Sequence, residues 1–405
     1  MIRQRWEVRR KSRMVPSSQR MVKLGIVTSH PIQYQAPLHR ALAKERDLDV
    51  TVLFTRNGGG KYFDEEFGTA VEWDIPLLDG YKHCILRNNV KRNGALSRIF
   101  TAWKYVFKTR FDVLWLYGWK DVANWSAWAA AKCVGTRVLL LGDTNALAEE
   151  ETFVRRARGL LLRVWFKSID GVLSVGTRNN QFYRSLGMPE EKIFFTPYAV
   201  DNDLFSRETM PQKMKQLSKI RYGLNPDLPT ISFCGKLTPK KRPLDLVRAV
   251  ARLKQGANLL FIGEGALRES IEAEAKKCNL SNLCIAGFCN QSGIAELYGM
   301  SDILVLPSCV EPWGLVVNEA MCVGLPIIAS DKVGSAADLI VEGQTGFTYP
   351  VGDIDALTEK LEAVLANPDY LIRMGTAGRE RIQHWSIKED IAGVLRAIES
   401  CGIRN

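Results

Sequence analysis

A chain of 405 residues is longer than one hydrophobic core usually organises, and 46% hydrophobic with 24% charged residues excludes the disordered and fibrous classes, so two globular domains of roughly 200 residues each are expected. The net charge of +11 sits in the first half: residues 1–200 hold 32 Lys and Arg against 19 Asp and Glu, and residues 201–405 hold 23 against 25. Nucleic acid, an anionic membrane surface or a phosphorylated substrate would each suit that asymmetry, as would a plain solvated basic face. Nine cysteines without paired spacing, Cys284 and Cys289 being nearest, argue against a zinc set and for reduced thiols in the cytosol.

In chain order, residues 1–20 hold seven basic residues and one acid with no apolar stretch, which reads as a disordered basic extension and not as a secretory signal. No later apolar run approaches the ~20 residues of a spanning helix. From residue 21 to 200, the short runs "KLGIV" (23–27), "DVTVLF" (49–54), "DVLWLY" (112–117), "RVLLL" (137–141), "GVLSV" (171–175) and "KIFF" (192–195) alternate with amphipathic stretches such as "APLHRALAKE". That alternation predicts parallel strands with crossover helices, a Rossmann-like first domain.

The loop "SHPIQYQ" after the first run puts His30, Gln33 and Tyr34 at the sheet edge where ligands collect in open α/β folds. Pro31 keeps His30 out of helical geometry, and a purely structural histidine is an equal reading. Trp119 in "YGWK", and Asp143 and Asn145 in "GDTN", follow later strands. They could orient an acceptor hydroxyl, or, for Asp and Asn, cap a helix. "NGGGKY" (57–62) lacks the spacing and the Ser or Thr of a phosphate-binding P-loop. Segments 91–110 and 155–167 mix cations with Trp, Phe and Leu as an interfacial helix does, and ordinary packing against the sheet would use the same pattern.

The rhythm restarts after residue 200. Strands are predicted at "TISFC" (230–234), "NLLFI" (258–262), "NLCIA" (282–286), "DILVLP" (302–307) and "LPIIA" (325–329), so residues 201–385 form a second doubly wound domain facing the first across a cleft. Asp201-Asn202-Asp203 spells a metal-binding Asp-x-Asp, yet it lies in the interdomain joint and is given no metal role. Gly235 ends the first of these strands and is followed by Lys236, Lys240, Lys241 and Arg242, where a glycine's close backbone approach and the added charge suit a diphosphate. In "EPWGLVVNEAMCVGLPII" (311–328), Glu311 follows a buried strand, Gly314 opens a helix, and the first N–H groups at Leu315 and Val316 would face an anion. Glu319, one turn in, could hydrogen-bond a diol. The dull alternative makes Glu311 a cap and Glu319 a solvated acid. "SIKE" predicts a capping box, with Ser386 at the N-cap of a last helix and Glu389 three positions on.

These stretches, with "FIGEGALRESIE" (261–272), "YGMSDILVLPS" and "VEGQTGFTYPVGD", closely resemble retaining glycosyltransferases of family 4, which have the GT-B fold. The family's Glu-x7-Glu is met by Glu311 and Glu319. The resemblance implies that Glu311 contacts the donor sugar and Glu319 the nucleotide ribose. It implies that Lys236, standing where the family usually has Arg, and Lys241 bind the diphosphate, and it adds Gly235, Gly263, Gly314, Leu315 and Val316 to the donor side. It implies that residues 386–405 cross back to the first domain, which takes the acceptor through Gln33, Tyr34, Trp119, Asp143 and Asn145. His30 joins Glu311, Lys236 and Lys241 as a catalytic candidate; the histidine that related enzymes place after the fourth strand is absent from "YGWK".

The implied reaction is retaining transfer from a nucleotide diphosphate sugar to a glycan or lipid-linked acceptor, with no metal, no cofactor and no nucleic acid partner. The expected setting is cytoplasmic, with peripheral contact to an anionic membrane. A nucleotide-sugar epimerase on the same fold and a non-catalytic nucleotide-sugar or nucleic-acid binder remain open. A dinucleotide-dependent oxidoreductase is disfavoured by the lack of a full Gly-x-Gly-x-x-Gly after the first strand.

Overall fold

The computed structural model describes residues 20–56, 62–64, 69–86, 94–144, 162–206 and 210–403. Asn145, the basic extension up to residue 19, residues 57–61 of "NGGGKY" and residues 155–161 of the second basic-aromatic segment lie outside the described residues.

Fifteen strands are described. The first group is β1 (Val22–Thr28), β2 (Leu48–Phe54), β3 (Tyr62–Asp64), β4 (Thr69–Val71), β5 (Lys82–Ile85), β6 (Val113–Tyr117), β7 (Arg137–Leu141), β8 (Gly171–Ser174) and β9 (Ile193–Phe195). The second is β10 (Thr230–Cys234), β11 (Asn258–Ile262), β12 (Leu283–Gly287), β13 (Ile303–Leu306), β14 (Ile327–Ser330) and β15 (Gly346–Tyr349). They form a seven-stranded sheet ordered β5-β2-β1-β6-β7-β8-β9, a six-stranded sheet ordered β12-β11-β10-β13-β14-β15, and the two-stranded ladder β3-β4. Every pair within the two large sheets is parallel. Parallel strands are covered by helices on both faces, which is why runs such as "ILVL" carry no polar alternation and are wholly buried.

The strand order decides where a ligand can sit. In the first sheet the chain steps from β1 outward through β2 to β5 and then back to the other side of β1 at β6; in the second it does the same from β10 through β11 to β12 and then to β13. At each reversal the loops leaving two neighbouring strands part in opposite directions and open a crevice beyond their carboxyl ends.

Three residue pairs join the two halves through five hydrogen bonds. The Thr177 N–H donates to both carboxylate oxygens of Asp338 at 3.0 Å, and its hydroxyl donates to one of them at 2.6 Å. Asp338 thereby meets the first turn of helix Thr177–Ser185, where a negative group is favoured by the helix dipole. Arg178 donates to the Val333 carbonyl at 2.9 Å, and Asn318 to the Tyr198 carbonyl at 2.9 Å. The last helix, Ile387–Ser400, packs on the first sheet: a Cβ at Gly393 would lie 2.0 Å from the Phe195 carbonyl oxygen of β9, so only glycine allows that approach.

Several sequence expectations change in detail. Strand β5, the edge strand "KHCI", and β15 were not anticipated. The last helix starts at Ser386 as predicted, but its capping box does not form: the Ser386 hydroxyl donates to the Glu389 carboxylate instead of accepting a backbone N–H. Asp201 caps helix Asn202–Phe205 by accepting from the Leu204 N–H at 3.2 Å, an ordinary structural use of that Asp-x-Asp.

Candidate functional site

Loops leaving β1, β10 and β13 converge on one cavity of about 580 Å³ between the sheets. On the second-sheet side, the loop after β10 runs backbone to backbone against the loop after β11. The Gly235 N–H donates to the Ile262 carbonyl at 2.9 Å and the Leu237 N–H to the Glu264 carbonyl at 2.8 Å. Gly263 makes this possible: its φ is +148°, and a Cβ there would fall 2.0 Å from the Gly235 carbonyl oxygen. The chain then turns through the 3-10 segment Pro239–Lys241, and the Lys240 carbonyl accepts from the Cys309 N–H at 2.8 Å, tying this loop to the one after β13.

Across that tie, Lys241 and Glu311 form an ion pair, the lysine side chain 23% and the glutamate 10% exposed. The Glu311 backbone is held independently, its carbonyl accepting from the Gly334 N–H at 2.9 Å. Gly314, at φ +91°, turns the chain into helix Leu315–Val323, whose ladder begins with the Val317 N–H bonding the Gly314 carbonyl at 2.9 Å. The N–H groups of Leu315 and Val316 therefore stand ahead of the ladder, at the positive end of the helix dipole, and both residues line the cavity. Two cations, a helix start and a carboxylate beside one another suit an anionic group attached to a polyol.

Glu319 has a more specific setting than the sequence suggested. Its carboxylate is 2% exposed and accepts one hydrogen bond from Tyr34 of the first half and one from Tyr298 of the second, each 2.7 Å. Burial pushes its pKa up to about 7, while the two tyrosine bonds pull it back down. The unfolded chain ionises this group near its ordinary value of 4.5, so its stabilising effect is fully present below that pH and is lost as pH rises through about 7. The loss amounts to ~3 kcal/mol across that window. Urea unfolding at pH 5 and pH 8 should show wild type losing stability on this scale, and Glu319→Gln should flatten the slope. An unchanged slope would mean that Glu319 is ionised in the folded protein.

Gly235, Lys236, Lys241, Gly263, Glu311, Gly314, Leu315, Val316 and Glu319 all line this cavity, as do Gln33, Tyr34 and Asp143 from the first half. His30 and Trp119 are not among its lining residues. The His30 Nδ1 lies 2.8 Å from the Ser29 hydroxyl, and burial, with the Arg56 charge, lowers its pKa. Trp119 turns inward and is 7% exposed, with its ring parallel to Phe182 at 5.9 Å and edge-on to Phe166. The ring is thus taken up by core packing. Tyr34, expected on the acceptor side, is committed to Glu319.

Sequence reasoning missed Tyr298, and also Trp73 and Phe288, which meet edge to face at 5.5 Å and wall the cavity. Segment 72–74 reaches the second sheet there, with the Glu72 carbonyl accepting from Asn290 at 2.9 Å and an Asp74 oxygen from the Ser292 N–H at 3.2 Å. Trp73 lies in a stretch without periodicity, so no pattern pointed to it.

Residues 214–381 match the family described as glycosyl transferases group 1, and residues 31–199 match the glycosyl transferase 4-like domain. The N-acetyl-α-D-glucosaminyl L-malate synthase of Bacillus anthracis is 26% identical over 266 residues, 65% of each chain. Across the first curated relatives, the aligned segment spans 36% to 65% of the relative's own length. Among solved structures, the sucrose-phosphate synthase of Thermosynechococcus elongatus superposes with a TM-score of 0.73 at 20% identity, covering 94% of this chain and 99% of that one. HepE of Anabaena in complex with UDP and glucose gives 0.71 at 16% identity, covering 92% and 99%. Both likenesses extend over the two sheets and the crevice between them.

Proposed function

The chain belongs to the group 1 glycosyl transferases, with the GT-B fold, and from that premise we propose that it moves a sugar from a nucleotide diphosphate sugar to a hydroxyl of a glycan or lipid-linked acceptor, in cell-surface polysaccharide or glycolipid assembly. The observation that carries this reading is the Lys241–Glu311 pair beside the start of helix Leu315–Val323, at the strand-order reversal of the second sheet. As the bond from the anomeric carbon to the phosphate oxygen breaks, negative charge grows on the diphosphate. Lys236, Lys241 and the N–H groups of Leu315 and Val316 are fixed where they would meet that charge, which lowers the barrier without further reorganisation. Glu311 keeps acceptor capacity beyond its bond to Lys241 and would grip sugar hydroxyls, since a carboxylate has about four lone-pair sites.

The reading includes retention of configuration by front-face attack. Glu311 is bound to Lys241, and a double displacement would need a carboxylate placed as nucleophile. The new bond forms between acceptor oxygen and anomeric carbon, and the departing phosphate oxygen takes the acceptor proton. Cationic stabilisation by side chains makes a metal unnecessary in this scheme.

A membrane-bound acceptor is favoured by one surface. Helix Ala95–Thr109 exposes Leu96, Phe100, Trp103 and Phe107 along one stripe, with exposed Lys104, Lys108 and Arg110 beside it, and buries only Ala102 and Val106. Apolar side chains flanked by cations suit the headgroup region of an anionic leaflet. No helix among the described residues is long and apolar enough to cross a membrane.

Thermal melting with UDP-glucose, UDP-N-acetylglucosamine and GDP-mannose, each with and without EDTA, tests the donor reading. At least one should raise the melting temperature, equally in both conditions, because a ligand that binds only the native state stabilises it. No shift with any donor would overturn the reading, and a shift abolished by EDTA would overturn the metal-free scheme. Recovery of an isomerised donor in the absence of acceptor would replace transfer by epimerisation.

A further inference from the structure

The cavity wall facing the Lys241–Glu311 pair is made by the first sheet and by the returning helix Ile387–Ser400. Asp390 sits in the first turn of that helix, only 4% exposed, and lines the cavity. Its N–H is used by the Ser386 carbonyl at 3.1 Å, but its Oδ1 is buried without any hydrogen-bond partner. Around it stand Tyr117, at the end of β6, and Tyr198, in the connection after β9, and Asp143 in turn stands close to Tyr198. Tyr117, Tyr198 and Asp143 line the same cavity.

A buried carboxyl oxygen with no partner destabilises the fold that carries it. Nothing in the helix requires an acid here: the box residue Glu389 is already held by Ser386, and the helix start could be served by either. Burial raises the Asp390 pKa well above the ordinary carboxyl value, with no charge nearby to oppose it. Burial thus favours the protonated form, which can donate one hydrogen bond and accept others. Hydroxyl groups of a sugar ring make the same pair of demands.

We propose that Asp390 is an acceptor-recognition residue, which with Tyr117, Tyr198 and Asp143 forms a polar subsite for the hydroxyls of a sugar or polyol acceptor, across the cavity from the donor loops. The inference rests on the transfer reading and adds a residue from the crossing helix to it. It also gives that helix a role in specificity besides joining the two halves.

The test uses the full chain with Asp390→Asn and Asp390→Leu. UDP and GDP binding is measured by calorimetry, and nucleotide release from the donor is followed with and without probe acceptors: the methyl glycosides of glucose, galactose, mannose and N-acetylglucosamine, and myo-inositol. In wild type at least one probe should stimulate release. In Asp390→Leu the KM for that probe should rise at least tenfold while nucleotide affinity stays within twofold, and Asp390→Asn, which keeps the shape and both kinds of hydrogen bond, should lie between. Both variants should melt at or above the wild-type temperature at pH 7.5. The proposal is overturned if the probe KM is unchanged in Asp390→Leu, if no probe stimulates wild type, or if both variants melt well below wild type, which would make Asp390 a structural group. Failure of wild type to bind either nucleotide would instead remove the donor reading, and this inference with it.

Discussion

Glu311→Ala is expected to lower turnover by roughly 100-fold, the scale seen when one preorganised polar contact to a transition state is deleted. It lies in the loop after a fully buried strand, and its backbone is pinned by the Gly334 N–H, which limits its freedom. It also holds Lys241 over the cavity. Two effects therefore separate in the variants. Removing the carboxylate takes away the group that would orient the sugar, which falls on kcat. It also releases Lys241 from its partner, leaving the ammonium available to phosphate, so nucleotide diphosphate affinity should hold or tighten. Glu311→Gln keeps hydrogen-bond acceptance but loses the charge, and should retain more activity than Ala. Steady-state kinetics with calorimetric UDP or GDP binding would check this. Normal kcat in Glu311→Ala would remove the residue from the chemistry, and a parallel loss of nucleotide affinity would mean that it only supports the loop.

The parts of the fold and site that could be read from sequence are those written in contiguous residues. "TISFC" and "NLLFI" occupy β10 and β11 residue for residue, because strands buried on both faces leave short runs free of charge between polar segments. Glu311, Gly314 and the helix after them could be placed because a strand, a loop and a helix start follow one another within about a dozen residues. β5 escaped notice because an edge strand of four residues, two of them exposed, has no such run. Glu319 shows the other limit. Its tyrosine partners are 285 and 21 residues away in sequence, and neither the 2% exposure nor the raised pKa is visible until the two halves meet. Trp119 misled for a related reason. A loop tryptophan at a sheet edge looks like a binding residue, but Gly142 leaves a space into which its ring folds, a Cβ there falling 2.3 Å from the ring. Asp390 gives no signal in the sequence, because an acid in the first turn of a helix is common.

The paired tyrosines also bear on how a donor would enter. A ribose diol reaching Glu319 must share the carboxylate with Tyr34 and Tyr298 or displace one of them, and Tyr34 is the one carried by the opposite half. Opening of the crevice by withdrawal of Tyr34 would uncover Glu319 at the cost of one hydrogen bond, a charge-assisted one only to the extent that Glu319 is ionised. Nucleotide entry and relative movement of the halves would then be linked through Tyr34.

Gly263→Ala should be a severely damaging single-methyl change, costing about 3 kcal/mol or more and abolishing nucleotide diphosphate binding. The added Cβ would lie 2.0 Å from the carbonyl oxygen of Gly235 and 2.9 Å from its carbonyl carbon, backbone atoms that cannot rotate aside, and the residue's φ of +148° is itself disfavoured for alanine. Relief requires the loops after β10 and β11 to separate, which breaks the Gly235–Ile262 and Leu237–Glu264 backbone bonds and carries Lys236 and Lys241 away from Glu311 and the helix start. Gly256→Ala is the control in the same domain: its nearest contact would be Leu228 at 3.4 Å, ordinary packing distance, so stability and binding should be close to wild type. Urea denaturation and UDP or GDP calorimetry on both variants decide the matter. If Gly263→Ala proved as stable as Gly256→Ala and still bound nucleotide, the close approach of the two loops would not be what sets the phosphate-facing geometry.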